Sequence, residues 1–228
     1  MVEQEGSYRI SRVYRSKDEA EKYYNRISAI YDRLGGIFER KSAERALDHL
    51  KIQEGESVLE IGFGTGYCLQ QIAILVAKTG KACGIDISNG MLEVTRRRLE
   101  KASLSDRVEL FQGDALYLPY SNETFDAVLM SFTLELFDTP EIPQVLKEVE
   151  RILKVGGKLA IATLSKSNGN SLAVRIYEWM HRRWPKYVDC RPIYLERSIS
   201  KAGYEIQSRE MAKLMILPLE IVVAIKKG

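Results

Sequence analysis

The five residues Ser57-Val58-Leu59-Glu60-Ile61 run straight into three glycines spaced one residue apart, Gly62-Phe63-Gly64-Thr65-Gly66. A short β-rich apolar run reads as a buried strand. A glycine cluster at its end lets the backbone turn sharply and approach a ligand closely. In open α/β sheets, ligands bind in the crevice beyond the carboxyl ends of the strands. One decapeptide therefore predicts an architecture, a strand feeding a helix, and a place for a nucleotide-like ligand.

The rest of the chain keeps the same rhythm. Residues 17–31 carry Tyr23, Ile27, Ile30 and Tyr31 at helical spacing and stop at the Gly35-Gly36 break, and a second helix is expected over about 37–50. After a turn at 53–56 and the strand at 57–61, the pattern predicts a helix over 67–78 and a strand over 82–85. A helix over 88–101 follows, with Ser88 as its N-cap. Strands at 108–111, 125–130 and 158–163 follow, with a helix over 142–153 and a turn at Val155-Gly156-Gly157. A helix over 193–202 precedes two strand-like runs separated only by Leu217-Pro218, a link short enough to favour an antiparallel pair. Apolar runs alternating with amphipathic helices imply an α/β fold whose parallel sheet is covered on both faces.

With 228 residues and 45% hydrophobic content, the chain is expected to form one domain with a substantial core. It has no apolar run of the roughly 20 residues that a spanning helix needs. The opening MVEQEGSYRISR has no secretory core either, so the expected location is cytoplasmic. Cys68, Cys83 and Cys190 share no metal-ligand spacing, so neither a metal nor a disulfide framework is expected. A net charge of +3 is too small to argue for a nucleic-acid partner. The charge is concentrated: residues 166–201 hold eight basic and three acidic side chains.

The glycine spacing is G-x-G-x-G, not the G-x-G-x-x-G that brings a pyrophosphate onto a helix N-terminus. Glu60, two positions before the first glycine, would repel a phosphate and attract an ammonium group. Both features point away from NAD and toward S-adenosylmethionine. Twenty residues past Gly66, Asp86 stands at the tip of the second strand in Gly84-Ile85-Asp86-Ile87-Ser88, where its carboxylate can accept both hydroxyls of a ribose. Asp114, in Gln112-Gly113-Asp114-Ala115, is placed to accept from an adenine amino group, with Met91 against the ring.

Together, LEIGFGTG, GIDIS, GDA, FDAVLMSFTLELF and LKVGGKL resemble, in order and spacing, the seven-stranded S-adenosylmethionine-dependent methyltransferases over about residues 20–165. The closest likeness is to the ubiquinone and menaquinone biosynthesis C-methyltransferases of the type-11 group. The resemblance implies a Rossmann-like three-layer sandwich whose seven-stranded, mostly parallel sheet ends in an antiparallel C-terminal pair. It implies a single domain over 1–228, with a helical N-terminal cap over about 1–50 and a substrate cover over about 166–192. It also implies that Thr65, Asp86, Asp114, Ala115 and Ser131 contact the donor and that Tyr31 with Asp32 closes over its methionine end. The expected donor site is thus Tyr31, Glu60, Gly62, Gly64, Thr65, Gly66, Asp86, Ile87, Met91, Asp114, Ala115 and Ser131. After the fourth strand the likeness weakens: quinone methyltransferases resemble S-F-G-L-R-N there, whereas this chain reads Ser131-Phe132-Thr133-Leu134-Glu135-Leu136-Phe137. No N/D-P-P-Y/F follows either, so nucleobase amino methylation has no support.

The expected acceptor is a small or lipid-like molecule, with a prenylated quinone precursor ranked first and a phospholipid head group or small amine second. Residues 175–187 mix Ile176, Tyr177, Trp179, Met180 and Trp184 with Arg175, Arg182, Arg183 and Lys186, a composition suited to peripheral contact with an anionic lipid surface or to a packed helix with solvated charges. If the acceptor must lose a proton, Glu135, His181 and Tyr187 are the candidate bases by location. Two other classes share the architecture. A nicotinamide-dependent oxidoreductase is opposed by the glycine spacing and Glu60, whereas a non-catalytic S-adenosylmethionine-binding protein would keep the same residues. Oligomeric state leaves no trace in the sequence.

Overall fold

A computed structural model of the chain describes residues 10–13, 15–31, 37–167, 171–185 and 188–228. Asp32, the Gly35-Gly36 break, Lys186 and Tyr187 lie outside the described residues. The elements run α1 (Lys17–Ile27), α2 (Ile37–Leu50), β1 (Ser57–Ile61), α3 (Tyr67–Leu75), β2 (Lys81–Asp86), α4 (Asn89–Lys101), β3 (Val108–Gln112), β4 (Phe125–Ser131), α5 (Ile142–Ile152), β5 (Leu153–Leu164), α6 (Leu172–Arg183), α7 (Leu195–Lys201), β6 (Glu205–Leu214) and β7 (Leu217–Ile225). The strands form one seven-stranded sheet in the order β3-β2-β1-β4-β5-β7-β6. Pairings from β3 to β5 are parallel, and β7 is antiparallel to both neighbours.

Strand alternation explains the three layers. Val58, Ala127, Leu129, Ala160 and Ala162 join one core with Leu47, Leu69, Ile72 and Leu99 from α2, α3 and α4. Leu59, Ile61, Val128, Met130, Leu159 and Ile161 face the opposite core, with Val145, Leu146 and Val149 of α5 and Ile199 of α7. Successive residues point to opposite faces, so a strand buried on both sides must be apolar throughout. β1 and β4 satisfy this except at Ser57, Glu60, Asp126 and Ser131, and two of those, Glu60 and Ser131, line the ligand crevice.

Several expected boundaries shift: the helix expected over 67–78 ends at Leu75, and the one expected over 193–202 starts at Leu195 and ends at Lys201. The first helix ends at Ile27, and the turn that follows leaves Ile30 exposed instead of on the packed face with Tyr23 and Ile27. Val155-Gly156-Gly157 is not a turn between elements but a kink inside β5: the pairing jumps from Phe125↔Leu153 to Ala127↔Lys158, and Gly156 takes φ +77°. The two last strands turn at Met215-Ile216, while Leu217 and Pro218 belong to β7. Proline is tolerated there because it stands at the beginning of the strand.

Candidate active site

Strand order reverses between β1 and its two parallel neighbours, since β2 and β4 leave β1 in opposite directions. Such a switch point opens a crevice at the carboxyl ends of the strands. Here it holds a cavity of about 650 Å³. Its floor is the glycine loop, whose Gly62, Gly64 and Gly66 have φ of +73°, +53° and +76°. A Cβ at Gly62 would lie 2.3 Å from Thr133 Oγ1, so close approach as well as dihedral demands glycine.

Asp86 terminates β2 with each carboxylate oxygen accepting one backbone N–H, Oδ2 from Gly64 and Oδ1 from Ser88, both at 2.9 Å. Each oxygen keeps a lone pair for a further donor. Burial pushes its carboxyl up to about 6 despite these bonds. Glu60 is 3% exposed, and its Oε2 is buried without a hydrogen-bond partner. Burial, reinforced by the charge of Asp86, holds its carboxyl well above the usual range. A buried, unpartnered acceptor is costly unless a ligand completes it. An ammonium group is the ligand that would do so.

Of the twelve residues expected at the donor site, eleven line this one cavity; Gly66 does not. It caps α3 below the loop and packs on Thr95, so its contribution is to the shape of the turn. Ser88 caps α4, accepting from Met91 N at 3.1 Å and keeping buried Met91 at the cavity wall. Asp114 is more committed than the sequence suggests: Oδ1 accepts from Leu116 N at 3.0 Å, and Oδ2 pairs with the Lys17 ammonium, which also meets Glu141 at 3.1 Å.

The N-terminal segment covers the cavity. Arg12 makes a two-pronged pair with Asp138, whose carboxyl it holds down at about 2, and Val13 N donates to the same carboxylate. Asn25 Oδ1 accepts from Ser88 Oγ and Gly90 N, both at 2.7 Å, which clamps α1 onto the start of α4. Sequence reasoning missed these straps because each links residues far apart in the chain; only the helical spacing of α1 was legible.

The same cavity is lined by Tyr24, Tyr31, Glu39, Arg15, Asp189 and His181, the first five of which are linked by hydrogen bonds and an ion pair. Tyr24 donates to Asp189 Oδ2 and Tyr31 to Glu39 Oε2. Glu39 is pushed up to about 7 by burial and the nearby Asp189 charge. Of the three candidate bases, His181 lines the cavity. Glu135 is fully buried but is not among the lining residues; its carboxyl accepts from Leu164 N and is raised to about 8 by burial.

Residues 58–157 match a methyltransferase domain family. The demethylmenaquinone methyltransferase of Symbiobacterium thermophilum is 29% identical over 217 residues, covering 86% of this chain and 85% of that one. That of Listeria welshimeri is 32% identical over 156 residues, 67% of this chain and 65% of its own length. Among solved structures, a SAM-dependent methyltransferase from Aquifex aeolicus has a TM-score of 0.61 at 21% identity, covering 81% of this chain and 89% of that one. The cyclase SpnF has a TM-score of 0.75 at 16% identity over 97% and 98%, a likeness of fold alone. With its strand order, its glycine-floored crevice and these relatives, the chain belongs to the S-adenosylmethionine-dependent methyltransferases of the seven-stranded Rossmann-like type.

Proposed function

We propose that the protein methylates a ring carbon of a hydroxylated aromatic, lipid-like acceptor, a prenylated hydroquinone first among them. The observation that carries this reading is that one cavity is lined both by the glycine loop and by the aromatic side chains of Tyr24, Tyr31, Phe132 and Phe137. The sequence relatives named demethylmenaquinone methyltransferases support the same acceptor class. S-adenosylmethionine supplies the methyl group on a positively charged sulfonium. The chain's part is to hold the acceptor in line with it and to keep water out. Glu60 takes the donor's ammonium, Asp86 its ribose hydroxyls, and Asp114 with Met91 and Ala115 its adenine. Tyr31, Gly62, Gly64, Thr65, Ile87 and Ser131 complete the wall, with Gly66 shaping the loop.

An amine acceptor would need spare negative charge in the cavity beside these aromatics. Asp189 is neutralised by Arg15 at 3.2 Å, and Glu39 near 7 is only partly ionised, so the chamber favours a neutral aromatic hydroxyl. Calorimetric titration with S-adenosylmethionine, S-adenosylhomocysteine and NAD should give micromolar binding of the first two only. Methyl transfer to reduced demethylmenaquinone analogues, and not to ethanolamine-type amines, should follow. Binding of NAD alone would overturn the reading, and binding without transfer to any acceptor would leave a non-catalytic protein.

Asp86→Ala is expected to weaken donor binding by about 1 to 3 kcal/mol, the usual loss for hydrogen bonds to a charged group. Unchanged affinity would remove Asp86 from the ribose site. Wild-type affinity should also fall as pH drops through about 6, because protonating Asp86 converts an acceptor into a donor.

The acceptor cover over about 166–192 is built around α6, whose Val174, Glu178 and His181 turn inward. No helix among the described residues is long and apolar enough to cross a membrane. The outward face of α6 exposes Leu172, Ile176 and Trp179, with Arg175, Arg182 and Arg183 beside them. Apolar side chains flanked by cations suit an anionic bilayer surface, from which a prenylated acceptor would enter. At about 1 kcal/mol per surface cation, changing Arg182 and Arg183 to Gln should weaken binding to phosphatidylglycerol-containing vesicles roughly thirtyfold and leave donor affinity alone. Equal binding to neutral and anionic vesicles by the wild type would retire the membrane reading.

A further inference from the structure

Two polar atoms at the acceptor end are buried without hydrogen-bond partners, the Nε2 of His181 and one terminal nitrogen of Arg15, and both side chains line the cavity. Their opposite ends are fixed by consecutive residues. His181 Nδ1 lies 2.8 Å from the Val188 carbonyl oxygen, and the other Arg15 terminal nitrogen lies 3.2 Å from Asp189 Oδ2. A carbonyl oxygen only accepts, so Nδ1 carries the ring hydrogen of the neutral imidazole. Nε2 is then the basic lone pair. Arg15 is further held over the rings of Tyr23 and Tyr24, at 5.0 and 5.5 Å from their centroids. The His181 acceptor nitrogen and one N–H-bearing nitrogen of the Arg15 guanidinium thus lack hydrogen-bond partners at the same cavity.

We infer that His181 is the general base for the acceptor hydroxyl and that Arg15 stabilises the aryloxide it creates. The inference rests on the aromatic-hydroxyl reading of the acceptor. The O–H bond breaks toward oxygen, its proton going to Nε2 and its electron pair remaining on the acceptor, where it delocalises onto the ring. The ring carbon forms a bond to the methyl carbon as the sulfur–methyl bond breaks, and that electron pair stays on sulfur to leave a neutral thioether. The ring hydrogen then departs to solvent as a proton, and His181 returns its own proton to the oxygen. One proton is released overall, and the imidazole is neutral again. Other ionisable groups at this end do not compete for the role. Burial raises Tyr24, Tyr31, Tyr177 and Cys190, which keeps them protonated; Asp189 is engaged by Arg15 and Tyr24, and Glu39 by Tyr31; Glu178 is paired with Lys166.

His181→Asn preserves a side-chain N–H near the Nδ1 position for Val188 but has no base. With a hydroquinone acceptor its kcat should fall at least a hundredfold, as for loss of a general base, with donor affinity and circular dichroism unchanged. A kcat within threefold of wild type would overturn the assignment. A second readout needs no turnover. With S-adenosylhomocysteine in place, 4-nitrophenol bound to the wild-type chain at pH 6 should show at least tenfold more of the ionised absorbance than the free phenol, and both His181→Asn and Arg15→Gln should abolish the excess. No bound probe, or a bound probe no more ionised than in solution, would also overturn it. An ionised probe in a protein that methylates no hydroquinone would reject the proposed acceptor and keep the base.

Discussion

Glu60→Gln is expected to weaken S-adenosylmethionine binding about a hundredfold and, at pH 8, to raise the melting temperature of the ligand-free protein. The two effects share one cause. Glu60 stands next to last in β1 at 3% exposure with an unpartnered oxygen, and its carboxyl is raised well above its ordinary value of 4.5 by burial and by Asp86. For a raised carboxyl the native state binds its proton more tightly than the unfolded chain does. The stability this confers is full below the unfolded value and is lost as pH climbs through the folded one. Gln, neutral at every pH, removes that loss, so the variant's advantage should grow from acid toward alkaline pH. Truncating one side of a buried charge pair costs about 3 kcal/mol, near a hundredfold in affinity. Donor binding to the wild type should also release a proton as the ammonium drives Glu60 to ionise. Calorimetry in buffers of unlike ionisation enthalpy would measure it, and the release should vanish in Glu60→Gln. Undiminished affinity in the variant would place the ammonium elsewhere.

The parts of this molecule that were legible in the sequence are those whose determinants are local. β1 was readable residue for residue because a five-residue apolar run met glycines, and Ser88 because an N-cap declares itself by residue type. The parallel core followed from apolar strands between amphipathic helices. Most residues expected at the donor site stand at or just beyond strand ends, which were predictable, and eleven of the twelve line one cavity. The kink at Gly156 was not legible, since Gly-Gly reads equally as a turn and as a break in strand register. The straps Arg12 to Asp138 and Lys17 to Asp114 depend on how the N-terminal segment crosses the sheet, which no local pattern encodes. His181 was selected by residue type and position; what separates it from Glu135 is that it lines the cavity and is oriented by the carbonyl of Val188, both facts of tertiary structure.

Gly66→Ala should lower the melting temperature by roughly 10 °C and cut donor affinity, although Gly66 does not line the cavity. Gly66 has φ +76°, a conformation that costs an L-residue about 1 to 2 kcal/mol. An added Cβ would fall 2.4 Å from Thr95 Cγ2 and 2.9 Å from its Cβ, too close to be relieved by rotating the threonine alone. Thr95 is fully buried and donates from Oγ1 to the Gly64 carbonyl at 2.9 Å, so displacing it removes the bond that pins the loop to α4. Strain, overpacking and the lost bond together amount to about 4 kcal/mol, and at about 2 to 4 °C per kcal/mol in a chain of this size the shift follows. Gly64→Ala isolates the first contribution. Gly64 also has positive φ, at +53°, but a Cβ there meets nothing within 4 Å, so its variant should lose only about 1 to 2 kcal/mol. The ordering of the two melting temperatures is the test. If Gly64→Ala proved the more damaging, the loop would be held by its own dihedral preferences and not by α4, and the account of Gly66 as a packing position would fail.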